Sequence, residues 1–228
     1  GGHTVCVLSR SLLDHEILVD TVDIAAGDAL DKCGRELGVH GNMIGKEMDT
    51  FLKQHPEEQG KPPLLDICEP MKNQAHRKNV LKYSFASFIS QVRRSIDKKY
   101  NNAIPLDSKI IARMAYQVEE MIFQHIITKI KLAIKERNLF IDNFVCAGGV
   151  GSNLTLRKML EDQLRPLDIV NFYYPDPKDC TDNSTMIGWA GIELFERGLT
   201  TDISTAVVRK WPIDRILDLY GWHRNDYC

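Results

Sequence analysis

Six cysteines are scattered through the 228 residues, at positions 6, 33, 68, 146, 180 and 228, and no two of them form a C-x-x-C pair. That argues against a zinc knuckle and against a dense disulfide scaffold, and it favours a reducing compartment such as the cytosol or an organelle matrix. No apolar run approaches the roughly 18 to 20 residues that a membrane helix needs. Neither sign of charge dominates. With 29 Lys and Arg against 31 Asp and Glu, the formal net charge is −2, which argues against a strongly basic nucleic-acid coat protein. The chain opens on Gly1-Gly2-His3-Thr4 without an initiator Met or a targeting segment, so it reads as a piece of a longer protein. The histidines show no H-E-x-x-H or other ligand spacing, and no Ser, His, Asp order or poised Cys stands out for nucleophilic catalysis.

What is present suits a soluble α/β protein of one or two domains: 43% of the residues are hydrophobic and 26% charged, enough to bury a substantial core. Residues 4–9 and 15–22 are short and rich in Val, Ile and Leu, and read as paired strands. From Ala26 the apolar period lengthens, through Ala29, Leu30, Cys33 and Leu37. This predicts a helix ended by Gly38 in the left-handed conformation. Ile44, Met48, Phe51 and Leu52 repeat the pattern. The four prolines between 55 and 70 predict the largest loop, a surface excursion.

Phe85, Phe88, Ile89, Val92 and Ile96 mark another helix, and a longer one follows Asp107-Ser108, its apolar stripe running to Ile134. Beyond it, strand 140–147, the turn Gly148-Gly149-Val150-Gly151, helix 153–164, strand 169–174 and helix 185–197 alternate. Such an order gathers ligands at the carboxyl ends of strands.

Several places can carry chemistry, each with a plain structural alternative. Gly1 and Gly2 make either a simple hairpin tip or a turn whose backbone N–H groups approach a phosphate. The turn at 147–153 opens a helix where a nucleotide can lie on unpaired amides, yet it is neither G-x-G-x-x-G nor a Walker loop. Asn153 there is a donor and acceptor for a base or ribose, or a helix cap. Asp182, ahead of the last long helix, is the N-cap of that helix or a carboxylate offered to a metal.

Gly188, Ala190 and Gly191 in that helix permit close approach of another helix and suggest a contact with a second lobe. Asp28 and Asp31 can grip a ribose diol or merely face solvent. His125, on the apolar stripe, is most simply a satisfied core histidine. Basic islands, among them Lys72, Arg77 and Lys78, Arg93 and Arg94, and Lys129 and Lys131, can receive an RNA backbone or form the polar faces of amphipathic helices.

In order and at these spacings, GGHT, GDALDKCGRELG, SFASF, AGGVGSNLTLR, CTDNSTMIGWAG and VRKWP resemble the TsaD family of tRNA threonylcarbamoyladenosine synthases, over residues 1 to about 213 and most like its fungal mitochondrial branch. The resemblance implies the actin-like ATPase fold of sugar kinases and chaperone ATPases. Residues 1–183 are then its nucleotide-binding second lobe, and 184–228 the returning C-terminal helix and tail packing toward an absent first lobe.

It further implies transfer of the threonylcarbamoyl group of threonylcarbamoyl-AMP to the exocyclic amine of the adenosine 3′ of the anticodon, in tRNAs reading ANN codons. Gly1 and Gly2 match the family's phosphate-contacting turn, Asp31 its ribose acid, Gly41 a backbone contact near the ribose, and Asn153 its adenine-side residue. Gly148 and Gly149 would line the adenine cleft. Asp182 matches the metal-binding aspartate, whose partner histidines lie upstream of Gly1, so this chain alone is expected to be inactive. One divalent cation per subunit (Fe or Zn), bound threonylcarbamoyl-AMP or ATP, tRNA as partner, a homodimer, no membrane contact and the mitochondrial matrix complete the expectation. At Gly45, where some relatives carry an acid toward the ribose, there is no side chain, so the ribose rests on Asp31. The competing expectation is a nucleotide-gated interaction or scaffold protein of the same superfamily, without group transfer.

Overall fold

The computed structural model describes residues 2–41, 44–71, 79–101, 107–181, 183–208, 211–218 and 222–224. Seven strands and six helices run in chain order among them: β1 (Cys6–Ser9), β2 (His15–Thr21), α1 (Ala26–Glu36), α2 (Ile44–Lys53), β3 (Lys82–Tyr83), α3 (Ala86–Tyr100), α4 (Ser108–Glu136), β4 (Asn143–Val145), α5 (Leu154–Leu164), β5 (Asn171–Tyr173), α6 (Ser184–Phe195), β6 (Leu199–Thr201) and β7 (Trp222–Arg224). The α/β class expected from the sequence is observed.

β1 and β2 pair antiparallel, closed by a turn in which the Ser11 hydroxyl accepts from the amides of Leu13 and Asp14. β3 adds to β2 in parallel, giving the order β1-β2-β3. At two residues it is too short to show a period, and the sequence did not reveal it. β4 and β5 pair in parallel with Asn143 opposite Asn171 and Val145 opposite Tyr173, so the expected strands at 140–147 and 169–174 are real but shorter.

The helices follow the apolar period closely. α1 ends as its glycine demands: Gly38 takes φ +81°, its N–H donates to Arg35 O, and the Val39 N–H reaches back to Gly34 O. That is a full left-handed stop, open to glycine without steric cost. α4 is capped by Asp107, whose carboxylate accepts from the Lys109 amide at 2.9 Å. Its buried face, from Ala112 through Val118, Ile122 and Ile126 to Ala133, forms the axis of one core, joined by Phe85, Phe88 and Val92 near α3 and by Leu156, Leu160 and Leu164 of α5. Gln124 and Gln163 exchange amide hydrogen bonds across the α4–α5 seam.

The proline-rich segment is indeed a loop, with one short 3₁₀ turn at Pro56–Glu58. Side chains of the neighbouring helices hold its backbone: Gln117 accepts from the amides of Leu64 and Leu65, Ser95 from Asp66, and Gln91 from Cys68.

α6 lies outside this core and has no buried residue. A Cβ on Gly188 or Gly191 would meet no heavy atom within 4 Å, so among the described residues no helix approaches the small-residue stretch.

Candidate functional site

The amino-terminal stretch is fastened where β2 hands over to α1. Thr4 Oγ accepts from the Ala26 amide at 2.9 Å, supplying the cap that Ala25 lacks, while the Thr21 hydroxyl donates to Thr4 O. His3 Nε2 sits 2.7 Å from Asp20 Oδ1. Gly2 therefore lies beside the start of α1 and is exposed, with no heavy atom within 4 Å of the place a Cβ would take. Gly1 lies outside the described residues.

α1 carries Asp31, and four residues earlier Gly27 meets the glycine turn: a Cβ there would stand 3.3 Å from Val150 Cγ2. One helix face thus brings Asp31 and the turn to the same side of the molecule. Asp31 Oδ1 accepts from the Gly45 amide at 2.6 Å, anchoring the start of α2, and its other oxygen has no hydrogen-bond partner among the described residues. Gly45 makes that approach easy, since a Cβ on it would stand 3.1 Å from Asp31 Oδ1 and the carboxylate would have to give by a few tenths of an ångström. Gly41, with φ +149°, is covered by Glu47, whose Cγ would lie 2.5 Å from a Cβ at that position.

In the turn, Gly148 takes φ +88° and is exposed with Gly149, and neither has a heavy atom within 4 Å of a Cβ position. Gly151 is buried instead, pressed on the end of β4, where its Cβ would stand 3.1 Å from Cys146 Sγ. Asn153 caps α5, its Oδ1 accepting from Thr155 N at 2.8 Å and Leu156 N at 3.1 Å. The capping alternative for Asn153 is therefore observed, and one N–H of its amide turns to the Glu119 carboxyl, so any contact with a base would fall to the other.

Asp182 lies outside the described residues. Its capping alternative is corrected: the N-cap of α6 is Asn183, whose Oδ1 accepts from Met186 N at 3.1 Å. Among the described residues no three His, Cys, Asp or Glu side chains come together as a cation site.

Three residues that brace the site's elements are not among those the sequence pattern singles out. Asp23 accepts from Ser84 Oγ at 2.6 Å, Phe85 N at 2.8 Å, Ile24 N at 2.7 Å and Ala86 N at 3.2 Å, so it caps α3 from the far end of β2. Burial alone would raise its carboxyl, but these bonds outweigh it and hold the pKa below the usual value. Glu119 is buried in α4 beneath Asn153 and Thr155; burial pushes its carboxyl up to about 7 although both side chains hydrogen-bond to it. Glu119 stands four residues after Ala115 and three before Ile122, so an acid inside the apolar stripe was the available signal. Arg157 ties the glycine turn to the segment after β5, and nothing in its local sequence announces that.

His125 is fully buried, edge-on to Tyr83, Phe85 and Phe88. Its Nε2 accepts from the Ser84 amide at 3.3 Å, while Nδ1 has no partner among the described residues, so it is a core histidine only half satisfied. Burial, helped by Lys129, lowers its pKa to about 4 and keeps it neutral. Several of the basic residues are engaged within the chain: Arg93 with Glu36, Lys131 with Gln163, Arg137 with Glu16, and Lys129, which is buried, with Val80 O. Lys72, Arg77 and Lys78 lie outside the described residues.

Comparison with known proteins identifies the family. Residues 1–189 match the family described as TsaD: tRNA N6-adenosine threonylcarbamoyltransferase. The chain is 38% identical, over an alignment of 235 positions, to the mitochondrial tRNA N6-adenosine threonylcarbamoyltransferase of Schizosaccharomyces pombe, covering 97% of this chain and 54% of that relative. It spans about half the length of the curated relative it matches. A family match across most of the chain and this identity together show that the chain belongs to the TsaD family.

Proposed function

We propose that this chain is the nucleotide-holding part of an enzyme that transfers threonylcarbamoyl from threonylcarbamoyl-AMP to the N6 amine of the adenosine 3′ of the anticodon in tRNAs reading ANN codons. The observation that carries the reading is the juxtaposition of Asp31 with the open Gly148–Gly149 turn, through Gly27 and Val150, in a chain of this family. Gly1, Gly2 and Gly41 complete the cradle in this proposal. The amine attacks the carbamoyl carbon; the C–N bond forms, the bond to the phosphate oxygen breaks, AMP leaves and the amine gives up a proton.

The chain's own residues bind and orient. Asp31, with one oxygen anchored on Gly45, offers the other to a ribose hydroxyl, and a fixed acceptor costs no reorganisation on binding. The glycine turn lets the adenylate lie close to backbone, with the Asn153 amide at the adenine side. Asp182 would supply one ligand of an iron or zinc ion, and such an ion would polarise a carbamoyl or phosphoryl oxygen.

Residues 1–183 form the second lobe of an actin-like ATPase fold, and 184–228 the segment that returns to the first lobe. The isolated chain is inactive in this reading, and the full protein works as a homodimer in the mitochondrial matrix. Among the described residues no helix is long and apolar enough to cross a membrane.

The test uses the full-length protein with tRNA, threonine, bicarbonate, ATP and the adenylate-forming enzyme. Modified adenosine is expected, and Asp182→Ala is expected to lower its formation at least about 10²-fold with the circular dichroism unchanged. Absence of the modified nucleoside with ligand-dependent partner capture would favour a nucleotide-gated scaffold. Modification by Asp182→Ala at the normal rate would remove the metal role.

A further inference from the structure

Three stretches of chain converge on one guanidinium. Arg157 lies one turn into α5, and its Nε donates to Gly151 O at 2.7 Å. Its Nη2 donates to Pro175 O at 2.8 Å and lies 3.5 Å from Cys180 Sγ. The plane is stacked over Tyr174, 4.8 Å from the ring centroid, and the Tyr174 hydroxyl donates back to Arg157 O at 3.2 Å. Cys180 is buried with 4% of its surface exposed.

A guanidinium is planar with its donors in a fixed fork, so bonds leaving it in two directions set the distance between the groups that accept them. Gly151 is the last glycine of the turn whose first two glycines stand open, and Cys180 precedes Asp182 by two positions. The remaining acceptor, Pro175 O, begins the connection between β5 and that position. Burial of Gly151 against Cys146 prevents the turn from following a displaced partner.

We propose that Arg157 is a positioning residue that locks the nucleotide-cradling turn to the segment leading into Asp182, so that the two halves of the site keep one separation. This rests on the acyl-transfer reading, which assigns the turn to the adenylate and Asp182 to catalysis. A displacement on the order of 1 Å between groups that must act on one bond costs about 10²-fold in rate without weakening the binding of either alone.

The full-length protein is compared as wild type, Arg157→Ala, Arg157→Lys and Asp182→Ala. Arg157→Ala is expected to lower kcat for tRNA modification about 10²-fold while KM for tRNA stays within about threefold. Arg157→Lys keeps the charge but cannot bridge both carbonyls, and its kcat stays low; methylguanidinium restores part of the rate to Arg157→Ala only. Amide hydrogen exchange supplies a readout independent of activity. The amides of Ser152, Asn153 and Cys180 are expected to exchange faster together in Arg157→Ala, with those of α4 unchanged.

Normal kcat in Arg157→Ala, full rescue by Lys, or exchange that rises in one stretch and not the other overturns the inference. If wild type forms no modified nucleoside, the acyl-transfer reading fails by itself and the exchange experiment still decides the coupling. If Arg157→Ala does not fold, Arg157→Lys carries both readouts.

Discussion

Glu119 shows how a buried acid makes the stability of this chain depend on pH. Its folded value of about 7 stands above the ordinary 4.5, so below 4.5 it is neutral folded or unfolded and has no effect. As pH rises between those values the unfolded chain releases a proton that the folded chain retains, and stability falls. The gap caps the cost on the order of 3 kcal/mol above pH 7. Asp49 of α2 adds to the rise, while Asn153, Thr155 and Lys53 oppose it.

His125 acts in the opposite sense. Its value falls from 6.5 to about 4, so acidification through that window protonates the unfolded chain first and destabilises the fold. The two slopes largely cancel in the native chain. Glu119→Gln is therefore expected to stabilise the chain at about pH 8 and to uncover a loss of stability on acidification below about 6.5. Urea midpoints across that range check it; a variant whose profile parallels the native one would show that Glu119 does not titrate as argued.

At the scale of elements, α1 and α2 approach through glycine. A Cβ on Gly34 would stand 2.6 Å from Ile44 Cγ2, a methyl held by the start of α2, next to the Gly45 amide that Asp31 grips. Gly34→Ala gains up to about 1 kcal/mol in helix propensity but forces a shift costing about 1–3 kcal/mol. Net destabilisation of up to about 2 kcal/mol is expected, with weaker ATP binding as the Asp31 carboxylate moves; a stabilised variant with unchanged affinity would refute the close packing. The sequence revealed α1 and its stop at Gly38 because a 3.6-residue period and a required positive φ are both local. It could not reveal that Thr4 caps α1 or that Asp23 caps α3, because each cap is brought in by folding from a distant segment. The N-cap of α6 fell to Asn183 and not Asp182 for a related reason, since adjacent residues both suit a cap and only the backbone decides between them.

For the whole molecule, the alternation of strand, glycine turn and helix made the β4–α5–β5 unit legible, and the family motifs marked Asp31, the turn and Asn153. The convergence of α1 on that turn was hidden, because a contact between Gly27 and Val150 leaves no periodic trace. The apolar character of α6 was equally visible, but in the fold that helix buries nothing: Ile187 is 76% exposed, Trp189 66% and Phe195 63%. An exposed apolar patch of this kind is the sort of surface that a partner covers. In the proposed architecture the cover is the first lobe. The 228-residue chain made alone is then expected to self-associate and to bind a hydrophobic dye, and Ile187→Lys with Phe195→Lys to render it monomeric without lowering its melting temperature. In the full-length protein the same two substitutions should instead lower stability by several kcal/mol, because buried charge there has no partner. Analytical ultracentrifugation and calorimetry on both lengths decide it: if the double variant is as stable as wild type at full length, α6 faces solvent in the full-length protein and does not meet the proposed first lobe.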